Sequence, residues 1–121
     1  MTFKLKPASE STVLSGILSA LGRKNSQGAI EGRYGLFWRN NSGATKVGAR
    51  FIRYGLPGSP DVIGIVNGQF VGIEVKREDG KQSEHQLAFE RLAVKYGGRY
   101  AVVRSVREAI ENVMRWYNDS I

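Results

Sequence analysis

The sequence contains no cysteine and a single histidine in 121 residues. Disulfides, thiolate zinc sites and a cysteine nucleophile are thereby excluded. Any metal would rest on carboxylates, carbonyls and water, a donor set that suits Mg²⁺ or Mn²⁺ and argues against structural zinc. Long apolar runs are also missing, so no membrane-spanning helix is expected. The opening MTFKLKPASEST carries two lysines with no apolar stretch behind them, which gives no support for a secretory signal or anchor and makes a cytoplasmic protein the expectation. Acids are scarce in one region: from Arg23 to Arg53 only Glu31 stands against Arg23, Lys24, Arg33, Arg39, Lys46, Arg50 and Arg53.

What is present, 41% hydrophobic and 24% charged residues, is the composition of an ordinary globular chain, and the length fits one domain over 1–121 with residues 1–8 flexible. A net charge of +7 and a pI near 10.0 suit a polyanionic partner, because basic side chains gain affinity by releasing counterions from phosphates. Charge that serves only solubility would look the same.

Val13, Leu14, Ile17, Leu18 and Leu21 recur at helical spacing, with Ser9 to cap the helix and Gly22 to end it. Glu10 continues that apolar stripe. It is either an inward carboxylate or a first-turn acid favoured by the helix dipole. Residues 23–35 read as an irregular connection. LFWRN, residues 36–40, reads as a short strand, NSGAT as a turn-rich cluster, and 47–54 as a second extended stretch, together a basic hairpin or flap. Trp38 offers a stacking surface there, or simply a core tryptophan, and Arg39, Lys46, Arg50 and Arg53 offer phosphate contacts. Asn41, Ser42 and Lys81 complete the candidate DNA contacts.

Residues 61–76 predict a hairpin. Asn67-Gly68 is the dipeptide preferred in a type I′ turn, between segments rich in β-branched residues that are apolar on both faces, so a sheet covered on both sides is expected. The C-terminal third predicts a helix opening with a Ser83/Gln86 capping box and burying Phe89, Leu92, Ala93 and Tyr96. A buried strand over 99–104 follows, then a helix with a Ser105/Glu108 box and an inner stripe of Val106, Ile110, Val113 and Trp116 or Tyr117. The class is α/β, a mixed sheet between helices.

With Asn67 and Gly68 in the turn, Asp61 falls opposite Glu74. Opposed residues on one face have β-carbons about 4.5 to 5.5 Å apart, and like charges there repel. A hard divalent cation would relieve the repulsion. Lys76 shares the Glu74 face one pleat on, because side chains alternate along a strand. Two carboxylates with an adjacent ammonium suit phosphodiester hydrolysis: a cation to activate water and polarise phosphate, and an amine to stabilise developing charge. By itself Glu-x-Lys is commonly a solvated strand end.

Gly58-Ser59-Pro60-Asp61, then Glu74-Val75-Lys76 after a short hairpin, then Ser83 to Gln86 at a helix start, resembles the VRR-NUC branch of the PD-(D/E)XK nuclease superfamily. The segment from Trp38 to Gly43 and the stretch from Gly97 to Val103 extend the resemblance over most of the chain. It implies a restriction-endonuclease-like fold and a Mg²⁺-dependent deoxyribonuclease, with Mn²⁺ able to substitute. Asp61, Glu74 and the Val75 carbonyl would be ligands, and Lys76 would position or activate the attacking water. Glu10 would approach from the first helix, and Gln86 would sit at the edge of the site. Stand-alone, phage-like members of the family imply a homodimer acting on branched or Holliday-junction DNA in DNA repair, in a host cytoplasm. Two other readings remain at this point: a non-catalytic DNA-binding module on the same fold, and a basic structural domain. The lone His85 reads as a surface residue.

Overall fold

Ser9 caps the first helix as its spacing predicts: its hydroxyl accepts the Thr12 N–H at 3.2 Å, and α1 runs Glu10–Leu21 with Val13, Leu14, Ile17 and Leu21 buried. The computed structural model describes residues 9–41 and 43–119, so the expected flexibility of residues 1–8 lies outside the described residues. The chain continues through strands β1 (Arg23–Lys24), β2 (Ile30–Glu31), β3 (Leu36–Arg39), β4 (Gly43–Val47), β5 (Arg50–Tyr54), β6 (Val62–Val66) and β7 (Gln69–Val75). It finishes with helix α2 (Glu84–Lys95), strand β8 (Arg99–Val103) and helix α3 (Val106–Asp119).

Six strands form one mixed sheet in the order β1-β2-β3-β6-β7-β8, antiparallel except for the parallel β7–β8 pair that α2 connects; β4 and β5 form a separate two-stranded sheet. Among the described residues the architecture is mixed α/β with three helices. One face of the large sheet carries the core: Phe37, Val62, Val66, Val71, Ile73, Val75 and Val103 pack against Ile17 of α1 and Val113 of α3, all almost wholly buried. Burying each such side chain stabilises the fold by roughly 1.5–3 kcal/mol.

The expected hairpin forms in the expected register. Asn67 (φ 48°) and Gly68 (φ 79°) both take the left-handed conformation of a type I′ turn, and Val62 faces Ile73, Ile63 faces Gly72 and Val66 faces Gln69. The Asn67 amide also donates to the Tyr117 carbonyl at 2.9 Å, fixing the turn to the end of α3.

Several expectations are corrected. The stretch 23–35 contains the paired strands β1 and β2, closed by Asn25, whose side-chain oxygen accepts the Gln27 and Ala29 N–H groups at 2.9 and 3.0 Å. The hairpin expected between 36–40 and 47–54 does not form: β3 pairs with β6 in the large sheet, the second half of NSGAT is strand β4, which pairs with β5, and the turn falls at Gly48 and Ala49. The second face of the large sheet is covered only in part. There α2 lies beside β8, with Phe89 against Phe70 and Tyr100, while Ile65 remains 44% exposed.

Helix α2 opens with the expected capping box, but Leu92 and Tyr96 face solvent and none of its residues is fully buried. Its inner stripe is Gln86, Phe89, Glu90 and Ala93. Glu90 can face inward because Gln82 donates to it at 3.0 Å. Strand β8 is the sheet's edge, with only Val103 fully buried. At α3 the Ser105 hydroxyl accepts the Glu108 N–H, whereas the Glu108 carboxylate takes the Arg104 N–H, so the box closes one residue early. The inner stripe of α3 is Ala109, Val113 and Trp116, with Val106 and Ile110 partly buried and Tyr117 edge-on to Tyr34.

Candidate active site

Strand pairing between β6 and β7 stops at Val62, because the next partner positions are Asp61 and Pro60 and proline has no N–H to donate. Asp61 fills the gap: its Oδ2 accepts the Val75 N–H at 2.7 Å. A backbone donor at the end of β7, an interior strand, thus fixes this carboxylate. The loop before it is held from two sides. Asn40, one residue past β3, donates its side-chain amide to Ser59 Oγ at 2.7 Å and to the Pro60 carbonyl at 3.0 Å, while its backbone N–H reaches the Asp61 carbonyl at 2.8 Å. Gly58, at φ 80°, lies against the His85 carbonyl and the Gln86 N–H in the first turn of α2, where a β-carbon would come within 2.1 Å of backbone. Only glycine fits there.

Glu74 lies near the end of β7 on the face away from the core, beside Val102 of β8. It is 4% exposed, the one buried charged side chain among the described residues, and its Oε2 has no hydrogen-bond partner. Its pKa is pushed up to about 9, first by burial, then by the Asp61 charge and a proton shared with Asp61; Glu10 adds to the rise and Lys76 opposes it. The nearby carboxylate and the burial both favour the protonated form of Glu74.

Lys76, half-buried and just past β7, donates its backbone N–H to the Val103 carbonyl at 2.9 Å and acts on Glu74 through its charge rather than as a direct ion pair. Glu10, the exposed first residue of α1, is near enough for its charge to raise Glu74. Among the described residues no three His, Cys, Asp or Glu side chains gather closely enough to hold an ion, so Asp61 and Glu74 stand as a pair with Glu10 outside it. Gln86 is half-buried, and its Oε1 accepts the Ser83 N–H at 2.9 Å as the capping partner.

A third group at the site had no sequence signal. Tyr100 of β8 faces Gly72, and its buried hydroxyl makes no hydrogen bond of acceptable distance and angle. Burial and the Glu74 charge hold its pKa well above the usual phenol value, with the Gln82 side chain close enough to temper the shift. Asn40 was equally hidden: an asparagine at a strand end signals a turn, not a clamp on a loop nineteen residues later.

The candidate DNA contacts separate into three places. Arg39 pairs in register with Val62, on the α1 face, and lines a cavity of about 420 Å³ with Lys24, Leu18 and Ile30. Trp38, beside Ile63, is on the opposite face with the acids. Lys46, Arg50 and Arg53 are exposed on the β4–β5 hairpin, Asn41 is exposed before it, Lys81 is exposed ahead of α2, and Ser42 lies outside the described residues. His85 is exposed, as read from the sequence.

The donor chemistry of the pair is of the kind a hard cation accepts: two oxygen-donor side chains, one with a buried oxygen that nothing satisfies. No helix among the described residues is long and apolar enough to cross a membrane. No family model, curated protein or solved structure matches the chain.

Proposed function

We propose that the chain is a divalent-cation-dependent DNA nuclease with the restriction-endonuclease-like fold, similar to the VRR-NUC branch. The observation that carries the reading is Glu74: a carboxylate 4% exposed, with an unpaired oxygen, set across a type I′ hairpin from Asp61. A stability-driven core has no use for such a group, because burying a carboxyl with an oxygen that nothing satisfies is unfavourable whether it is charged or protonated.

Asp61, Glu74 and the Val75 carbonyl would hold Mg²⁺ or Mn²⁺, which when bound lowers the pKa of a water and draws charge from the phosphate. The chain's own groups do the rest. Asp61 is oriented by the Val75 N–H, and its loop is fixed by Asn40 and Gly58. The Lys76 ammonium positions the attacking water and stabilises negative charge as it develops on the phosphoryl oxygens. Gln86 keeps its amide NH₂ for a phosphate while its oxygen serves the helix cap. The net charge of +7 brings the polyanion to the site. Action on branched or junction DNA, by a homodimer, is the finer form of the proposal.

The test is cleavage of a panel of duplex, single-stranded, flap and four-way DNA in Mg²⁺ and in Mn²⁺. Wild type should cut at least one substrate, and Asp61→Asn, Glu74→Gln and Lys76→Ala should each lose about 10²-fold or more. Binding to the whole panel with no cleavage would replace the proposal with a non-catalytic DNA-binding module. Sedimentation of the same preparation tests the dimer.

A further inference from the structure

Among the described residues the β4–β5 hairpin pairs with no other strand. It forms its own two-stranded sheet, and every residue of β5 is exposed. Isolated two-stranded hairpins are marginal in water, so one that only joined Asn40 to Pro60 would be expected to carry polar turn residues. This one exposes Phe51 at 74% of its surface, together with Val47, Ile52 and Tyr54. Cations are set among these apolar groups. The register puts Lys46 directly across from Phe51 and Arg50 across from Val47, and Arg53 shares the Phe51 face. From residue 32 to residue 60 the chain carries five cations and no acid.

A partner for this surface must supply both negative charge and flat apolar area. Paired duplex DNA supplies phosphates but hides its base faces, so Phe51 would gain little from it. Unpaired nucleotides offer both: a phosphate per residue and an open aromatic face on which a side chain can stack. A second copy of the chain would bring a like-charged arm against this one. The arm is also tied to the acid site, since Asn40 at its near end bonds Ser59, Pro60 and Asp61 at its far end.

We propose that the β4–β5 hairpin is a stacking arm that binds unpaired nucleotides next to the Asp61–Glu74 site, with Phe51 against a base and Lys46, Arg50 and Arg53 on the flanking phosphates. The proposal shares its nucleic-acid partner with the proposed nuclease but not its chemistry. Its test is run in EDTA, where cleavage cannot contribute.

The probes are an oligonucleotide with 2-aminopurine in an unpaired bubble and the same sequence fully paired. Wild type should bind the bubble about tenfold or more tightly and quench the 2-aminopurine. Phe51→Ala, a change at a largely exposed residue checked by circular dichroism, should lose the preference and the quenching. Arg50→Ala/Arg53→Ala should weaken both probes by similar factors and flatten the salt dependence. Equal binding of the two probes by wild type, or quenching that survives Phe51→Ala, would overturn the proposal. So would Phe51-dependent binding to vesicles of phosphatidylglycerol and phosphatidylcholine, or a Phe51-dependent dimer in sedimentation, without an effect on the oligonucleotides. If the arm passes while every cleavage assay fails, the nuclease reading falls alone; if cleavage passes and the arm fails, only the arm does.

Discussion

At the scale of single residues, the raised pKa of Glu74 makes the stability of the fold depend on pH. Below pH 4.5 the carboxyl is protonated in the folded and unfolded chain alike; between 4.5 and about 9 the unfolded chain ionises it while the fold retains the proton. The native state then binds more protons, so stability falls as pH rises through that window. In EDTA, Glu74→Gln should remove this slope and raise Tm at alkaline pH by roughly 5 °C or more, as follows for a domain of this size. A thermal melt series in EDTA reads the slope, and an unchanged slope in the variant would show that Glu74 is not the group responsible. Tyr100→Phe removes the other unsatisfied buried atom at the site. It should leave the fold at least as stable, because a buried hydroxyl without a partner costs about 1–3 kcal/mol; a drop in Tm would mean that the hydroxyl has a partner in the folded state.

At the scale of elements, the loop from Leu56 to Asp61 is positioned by its neighbours rather than by its own hydrogen-bond ladder. Asn40→Ala should lower kcat by about 10²-fold through misplacement of Asp61 while leaving circular dichroism unchanged, since the clamp orders a loop and not the core. Gly58→Ala should go further and cost about 2 kcal/mol or more in urea unfolding, because positive φ and a backbone clash act together. If Gly58→Ala is as stable as wild type, the loop does not dock on α2. The β6–β7 register was legible beforehand because Asn-Gly dictates a two-residue turn, and period-2 alternation then places every side chain. The α2 face was not legible: its apolar residues at 89, 92, 93 and 96 suggested one stripe, whereas the helix turns Gln86 and Glu90 inward, where Ser83 and Gln82 satisfy them. Strands β1 and β2 were hidden because two-residue strands have no period to detect.

At the scale of the whole molecule, a sheet with one sealed face and one half-open face places the acids where apolar packing protects them and solvent still reaches the edge. The helices α1 and α3 make the sealed side. There Phe37→Ala should cost about 3–5 kcal/mol, measured by chemical denaturation, because Phe37 is wholly buried. The alternating strands and capped helices made the mixed α/β class readable from sequence. The open face was not readable, since Ile63, Ile65 and Phe70 look as core-like as Val62 and Val71 until α2 is seen to cover only the β8 side.

The account rests most heavily on Asp61 and Glu74 forming one cation site. Calorimetric titration of Mn²⁺ into the wild-type chain and into Asp61→Asn measures this without any substrate. A saturable site on wild type, accompanied by proton release as Glu74 ionises and absent from the variant, is the predicted result. Identical heats from the two proteins would contradict it.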